Sequence, residues 1–186
     1  IEDDGKEDII VFTEDYSLVR AFDQNGVQLF ETDLSSELGE IVNLSVGQLD
    51  DDEEKEFVLI YEKLGVQKIR VVDLDGDYVR SITIKNNMFS YADVESWDGD
   101  ADGVDELLFS ADMGSSPSVV ITDNKGVVEN TFFAYELGFK GGVDVAAGDV
   151  DQNGEIEIYT SPRTNGGPHV RVFNKEGAVI GGFFAA

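Results

Sequence analysis

The chain has no cysteine, a single histidine, a single tryptophan and only three prolines. Without cysteine, neither a disulfide framework nor a thiolate metal site can form, and the redox compartment is left open. Positive charge is scarce too: 13 lysines and arginines stand against 39 aspartates and glutamates, for a formal charge of −26. Nucleic acid and anionic lipid surfaces would repel such a chain, because both require a basic patch. Cations, basic partners or a saline medium are its natural counterparts. No apolar run approaches the ~18 residues needed to cross a bilayer, so membrane insertion is not expected. No charged-then-apolar leader opens the sequence, but Ile1 falls inside a motif, so an earlier start of the gene product is expected.

Catalytic equipment is thin as well. No Gly-x-Ser-x-Gly elbow and no phosphate-cradling glycine loop is present. The lone His169 sits in the strand phrase Pro168-His169-Val170-Arg171, where a packed or hydrogen-bonded role is expected rather than a general base. The carboxylates are many but repeat in register, which suits metal ligands better than an acid–base couple in two distinct environments. The expectation is that the chain is not an enzyme.

What the sequence has is a repeat. Four phrases align: Val19-Arg20-Ala21-Phe22-Asp23, Ile69-Arg70-Val71-Val72-Asp73, Val119-Val120-Ile121-Thr122-Asp123 and Val170-Arg171-Val172-Phe173-Asn174. The glycines that follow, at 26, 76, 126 and 177, are spaced by 50, 50 and 51 residues. Phe132-Phe133-Ala134 returns as Phe183-Phe184-Ala185, and Pro117 as Pro168. Within each unit apolar residues alternate with period two, as in Glu155-Ile156-Glu157-Ile158-Tyr159, which marks strands with one buried face. Asn25-Gly26, Asp75-Gly76, Lys125-Gly126 and Glu176-Gly177 supply hairpin turns. Four strands are expected per unit, in the last one near 142–148, 156–161, 169–174 and 178–184.

Four antiparallel strands about every 50 residues predict an all-β fold built of β-propeller blades. The units run over residues 1–36, 37–85, 86–137 and 138–186, in one domain. Unit one begins within its acidic turn and lacks a first strand. The expectation is therefore part of a larger propeller, completed by further blades or by self-association.

The chemistry lies in the turn between the first and second strands. Unit four reads Asp149, Asp151, Asn153, Gly154, Glu155 and Glu157 at positions one, three, five, six, seven and nine. Unit three reads Asp98, Asp100, Asp102, Gly103, Val104 and Glu106. Ca²⁺ wants about six to eight oxygens at roughly 2.3–2.6 Å, and alternate side chains of such a loop point into one concavity. Position seven offers its backbone carbonyl, and the carboxylate at nine closes the shell. Mg²⁺ demands stricter octahedral geometry and keeps its waters. An EF-hand would need a Glu at position twelve between helices, whereas position twelve is Thr160 or Phe109 between strands. Unit two offers Gln48, Asp50, Asp52, the Glu54 carbonyl and Glu56, but Glu53 replaces the turn glycine. Unit one retains Glu2, Asp4, Gly5, the Lys6 carbonyl and Asp8. Trp97 stands where the other units have Gly47 and Gly148, and packing between blades is expected of it.

The stretches Phe132-Phe133-Ala134-Tyr135, Phe139-Lys140-Gly141-Gly142-Val143, Gly148-Asp149-Val150-Asp151 and Gly166-Gly167-Pro168-His169-Val170-Arg171-Val172-Phe173 resemble bacterial FG-GAP/VCBS-like repeat proteins. The resemblance covers essentially the whole chain and is strongest from 86 to 186. It implies a propeller related to that of integrin α subunits, Ca²⁺ in the hairpin loops, and an exported protein at the cell surface. The resemblance says little about partners, and a surface protein or a glycan is the partner expected. Two other roles stay open at this level: the propeller portion of a secreted hydrolase or lyase, and a structural spacer of a surface layer or filament.

Overall fold

The computed structural model describes residues 8–34, 39–50, 52, 54–85 and 90–185. Among them are strands and turns and no helix. Blade one holds β1 (Ile9–Phe12), β2 (Leu18–Phe22) and β3 (Gln28–Asp33). Blade two holds β4 (Glu40–Gly47), β5 (Glu56–Lys63), β6 (Val66–Asp73) and β7 (Tyr78–Ile82). Blade three follows with β8 (Tyr91–Trp97), β9 (Glu106–Ala111), β10 (Ser118–Thr122) and β11 (Val128–Phe133). Blade four closes the chain with β12 (Val143–Gly148), β13 (Glu157–Pro162), β14 (His169–Phe173) and β15 (Val179–Phe184). Among the described residues each blade is an antiparallel meander in chain order, three-stranded in blade one and four-stranded in the others. The arrangement is that of β-propeller blades, as the repeat predicts.

The hairpin turns explain both the glycines and the bulges. Asp23 N–H donates to the Val27 carbonyl, Gly26 N–H donates to the Asp23 carbonyl, and Asp23 Oδ1 accepts from Val27 N–H at 2.7 Å. The same bonds recur at Asp73, Asp123 and Asn174. Gly26, Gly76, Gly126 and Gly177 take φ of +80°, +92°, +85° and +78°. Each pairing then shifts register by one, at Ala21/Phe22, Val71/Val72, Ile121/Thr122 and Val172/Phe173. This is a turn ending in a left-handed glycine that opens a bulge, and it sharpens the twist of the outer strands.

The core lies between blades, not within one. The middle strands are buried on both faces, β5 over Phe57–Tyr61, β9 over Leu107–Ala111 and β10 over Ser118–Thr122, so the blades must stack on one another. Phe57, Leu59 and Val72 of blade two meet Val19 and Leu34 of blade one. The opposite face of blade two, with Val58, Ile69, Val71 and Ile82, meets Leu107, Phe109 and Val120 of blade three. Leu108, Val119 and Ile121 then meet Val145, Ile158 and Phe173 of blade four. Among the described residues, no apolar cluster joins blade four to blade one.

Two features refine the sequence reading. Trp97 is 8% exposed and does pack between blades three and four. It exchanges bulk with its neighbour, since a Cβ on Gly99 would lie 2.5 Å from Trp97 Nε1, whereas Leu49 and Val150 occupy the Gly99 position in the other blades. Asp93 on β8 joins three blades: its Oδ1 accepts from Asn43 Nδ2 of β4 at 2.7 Å, and its Oδ2 from Val145 N–H of β12 at 3.0 Å.

Candidate metal centre

The acidic turns leave β4, β8 and β12, the first strands of blades two, three and four, and return on β5, β9 and β13. Three carboxylate groups gather there. In blade three, ligand oxygens of Asp98, Asp100 and Glu106 lie within 4.8 Å of one another, and in blade four those of Asp149, Asp151 and Glu157 do. Blade two repeats the arrangement with Asp50, Asp52 and Glu56. The three groups occupy the same turn of successive blades and take positions one, three and nine, or three, five and nine in blade two.

The loop backbone holds these side chains in place. In blade three, Asp98 Oδ1 accepts from Asp102 N–H at 3.1 Å and Asp98 Oδ2 from Gly103 N–H at 3.0 Å. Asp149 accepts from Asn153 and Gly154 in the same way, at 3.0 and 2.9 Å. Glu106 Oε2 accepts from Gly99 N–H at 2.6 Å, Glu157 Oε2 from Val150 N–H at 3.1 Å, and Glu56 Oε2 from Leu49 N–H at 2.8 Å. The carboxylate at nine is thereby drawn across the turn toward position two. Asp102 and Asn153, at position five, accept from the N–H groups of Val104 and Glu155. Position six takes positive φ at Gly103 (+94°) and Gly154 (+88°). Position four does so as well, at Ala101 (+62°) and Gln152 (+60°), which the sequence pattern does not announce.

The blade-two loop is built differently. Gln48 does not turn its amide oxygen inward; its Nε2 donates to the carbonyls of Asp50 and Asp52. A neutral N–H₂ donor thus stands among the loop oxygens, where an acceptor would be needed for a cation. The remaining turn bonds are shared: Asp52 N–H and Glu54 N–H donate to the carboxylates of Asp50 and Asp52, as Asp102 N–H and Val104 N–H do to those of Asp100 and Asp102. Glu53 lies outside the described residues, as do Glu2 and Asp4 of unit one. Asp8 lies just before β1, partly buried.

Crowded carboxylates in a partly dry turn resist ionisation. Glu106 is pushed up to about 7, first by burial and then by the charges of Asp100 and Glu129. Glu56 is raised by burial and by Asp50 and Asp52. A bound cation reverses this penalty, because it takes the negative charge that the free loop can hold only at a cost. In blades three and four the donor set is all oxygen, with three carboxylates at each turn, and such a set can hold a hard metal ion.

His169 and Arg163 take structural places. His169 stacks on Phe184, with ring centroids 4.5 Å apart, and its carbonyl accepts from the Tyr135 hydroxyl. Arg163 donates to the Ala92 carbonyl and pairs with Asp144 at 3.4 Å.

No family model matches the sequence, and no curated protein matches it. Among solved structures, the crystal structure of BBS1N in complex with ARL6DN aligns over 98% of this chain and 66% of its own, at 10% identity and a TM-score of 0.51. The V. cholerae biofilm matrix protein Bap1 aligns over 99% of this chain and 37% of its own, at 16% identity and a TM-score of 0.43. The chain therefore spans less than two thirds of either neighbour's length, and at 10% identity the first likeness is one of fold alone.

Proposed function

We propose that the chain is a non-catalytic Ca²⁺-binding β-propeller module of the FG-GAP type, working outside the cell in adhesion or in binding a surface protein or glycan. The observation that carries this reading is the recurrence of one carboxylate triad at the same turn of successive blades. In blades three and four the three carboxylates stand at the same loop positions, with ligand oxygens within 4.8 Å of one another. Asp98, Asp100, Asp102, the Val104 carbonyl and Glu106 form the first site. Asp149, Asp151, Asn153, the Glu155 carbonyl and Glu157 form the second. Loops of this kind on hairpins stiffen a blade edge, and millimolar extracellular Ca²⁺ saturates even weak ones. The charge of −26 suits a protein that works in a saline medium.

Titration calorimetry with Ca²⁺ after chelator treatment tests the reading. Two sites are expected, with Asp98→Asn and Asp149→Asn each removing one and the double variant removing both. Absence of binding to the untouched chain overturns it. The extracellular role is tested separately by screening the Ca²⁺-loaded chain against immobilised glycans and cell surfaces, where no Ca²⁺-dependent retention contradicts it.

A further inference from the structure

Two successive seams between blades use the same positions and end differently. At the seam between blades two and three, Leu49 is fully buried and fills the space beside the acidic turn. Arg80 of β7 lies over it. Its Nη2 donates to the Leu49 carbonyl at 2.6 Å and to the Asn124 carbonyl of blade three at 3.2 Å, and its Nη1 lies 4.0 Å from Asp50 Oδ2. That seam is plugged by an apolar side chain and carries its own guanidinium.

One repeat later both pieces are missing. Gly99 takes the place of Leu49, and Asn130, paired with Ile121 as Arg80 is with Val71, takes the place of Arg80. Asn130 Nδ2 donates to the Lys175 carbonyl at 2.9 Å, the counterpart of the Asn124 carbonyl, but brings no charge. Glu129 stands where blade two has Val79. The result is a cavity of about 390 Å³ between blades three and four, within the size range of small-ligand sites. Trp97 and Ile121 line it together with four acidic residues and one lysine. The Glu129 carboxyl is held above its ordinary value, first by burial and then by the charges of Asp123 and Asp100, with Lys175 opposing them.

Trp97 is an independent sign of an occupant. It is 8% exposed, and its Nε1 finds no acceptor among the described residues. A Cβ on Gly99 would come within 2.5 Å of that atom, so the indole N–H faces the space that Leu49 fills in the seam before. A buried donor left unpaired is costly, and an acceptor brought in by a ligand removes the cost.

We propose that this seam binds an arginine side chain of a partner peptide. The guanidinium sets against Glu129 and Asp100, where Arg80 sits in the preceding seam, and a peptide carbonyl accepts from Trp97 Nε1–H. Arginine suits the place because its planar donors pair with carboxylates and its face stacks on an indole. The net charge of −26 favours the approach of a basic partner. Glu129 and Asn130 lie outside the acidic turn, so the inference stands apart from the proposed Ca²⁺ binding and is tested without the ion.

Trp97 is the single tryptophan, so its fluorescence reports this pocket alone. Titration of the chelator-treated chain with N-acetyl-arginine amide should shift the emission saturably. N-acetyl-citrulline amide, of the same shape without the charge, should bind roughly tenfold more weakly or worse. Agmatine, which has the guanidinium but no carbonyl, should also bind more weakly, and equal binding by it overturns the peptide assignment. Glu129→Val/Asn130→Arg rebuilds the pair found in blade two and should abolish the shift. Glu129→Gln should weaken binding by roughly tenfold, with circular dichroism showing that each variant is folded. Glu14→Gln, on an exposed turn of blade one, should respond like the parent, which sets the pocket apart from the general acidity. An emission that N-acetyl-arginine amide leaves unmoved overturns the proposal. So does equal binding of the citrulline probe, or a folded Glu129→Val/Asn130→Arg chain that still binds.

Discussion

At the scale of the residue, glycine and carboxylate do most of the work. Gly26 and Gly126 both need the left-handed backbone, but only Gly126 also faces a neighbouring blade. Gly26→Ala should therefore cost about 1 kcal/mol, the conformational term alone. Gly126→Ala adds a clash with Ile82 and should cost about 2–4 kcal/mol, measured by urea unfolding. Glu95 offers a second test. Burial, and then the charge of Asp93, pushes its carboxyl up from 4.5 to about 7. Between those values the folded state binds more protons than the unfolded one, so stability falls as pH rises through that window and the loss is complete above it. Glu95→Gln should be more stable than the parent at pH 8, by as much as about 3 kcal/mol, with the advantage fading toward pH 5. Equal unfolding midpoints at both pH values would contradict the account.

Among the elements, the inner strands β4, β8 and β12 hold the array together, and the Asp93 bridge is their polar tie. Asp93→Ala leaves Val145 N–H and the Asn43 amide without their partner and should cost about 2–3 kcal/mol. Phe109, fully buried between blades two and three, should cost about 3–5 kcal/mol as Phe109→Ala. Much of this level is legible in the sequence. Period-two alternation places the strands of the last unit within about one residue, because a sheet face buried against a neighbour admits one register. The acidic turns of blades three and four are legible at positions one, three, six and nine, where the carboxylates and the left-handed glycine recur at fixed spacing. Other features are set by contacts far apart in sequence. The exchange of bulk between Trp97 and Gly99 depends on what blade four places opposite, and the inward amide of Gln48 depends on how the blade-two turn closes. The left-handed Ala101 and Gln152 are not signalled, since neither residue type favours that conformation.

For the whole molecule, stability and charge are linked through the acidic turns. A chain of net charge −26 repels itself when folded, and the repulsion is densest where three carboxylates share one turn. Metal loading should relieve that strain most in blades three and four, whose loops are open to a cation, and least in blade two, where the Gln48 amide stands in its place. The proposed Ca²⁺ binding is thus a thermodynamic claim: the folded array is expected to bind the ion and the unfolded chain is not. The direct measurement is thermal unfolding of the chelator-treated chain with and without Ca²⁺, beside the Asp98→Asn/Asp149→Asn variant. At a hundredfold excess over the dissociation constant, each site should add about 2.7 kcal/mol and raise the melting point in the parent, with no such rise in the variant. A melting point unmoved by Ca²⁺ in the parent would contradict the account and leave the turns as solvated loops on a propeller.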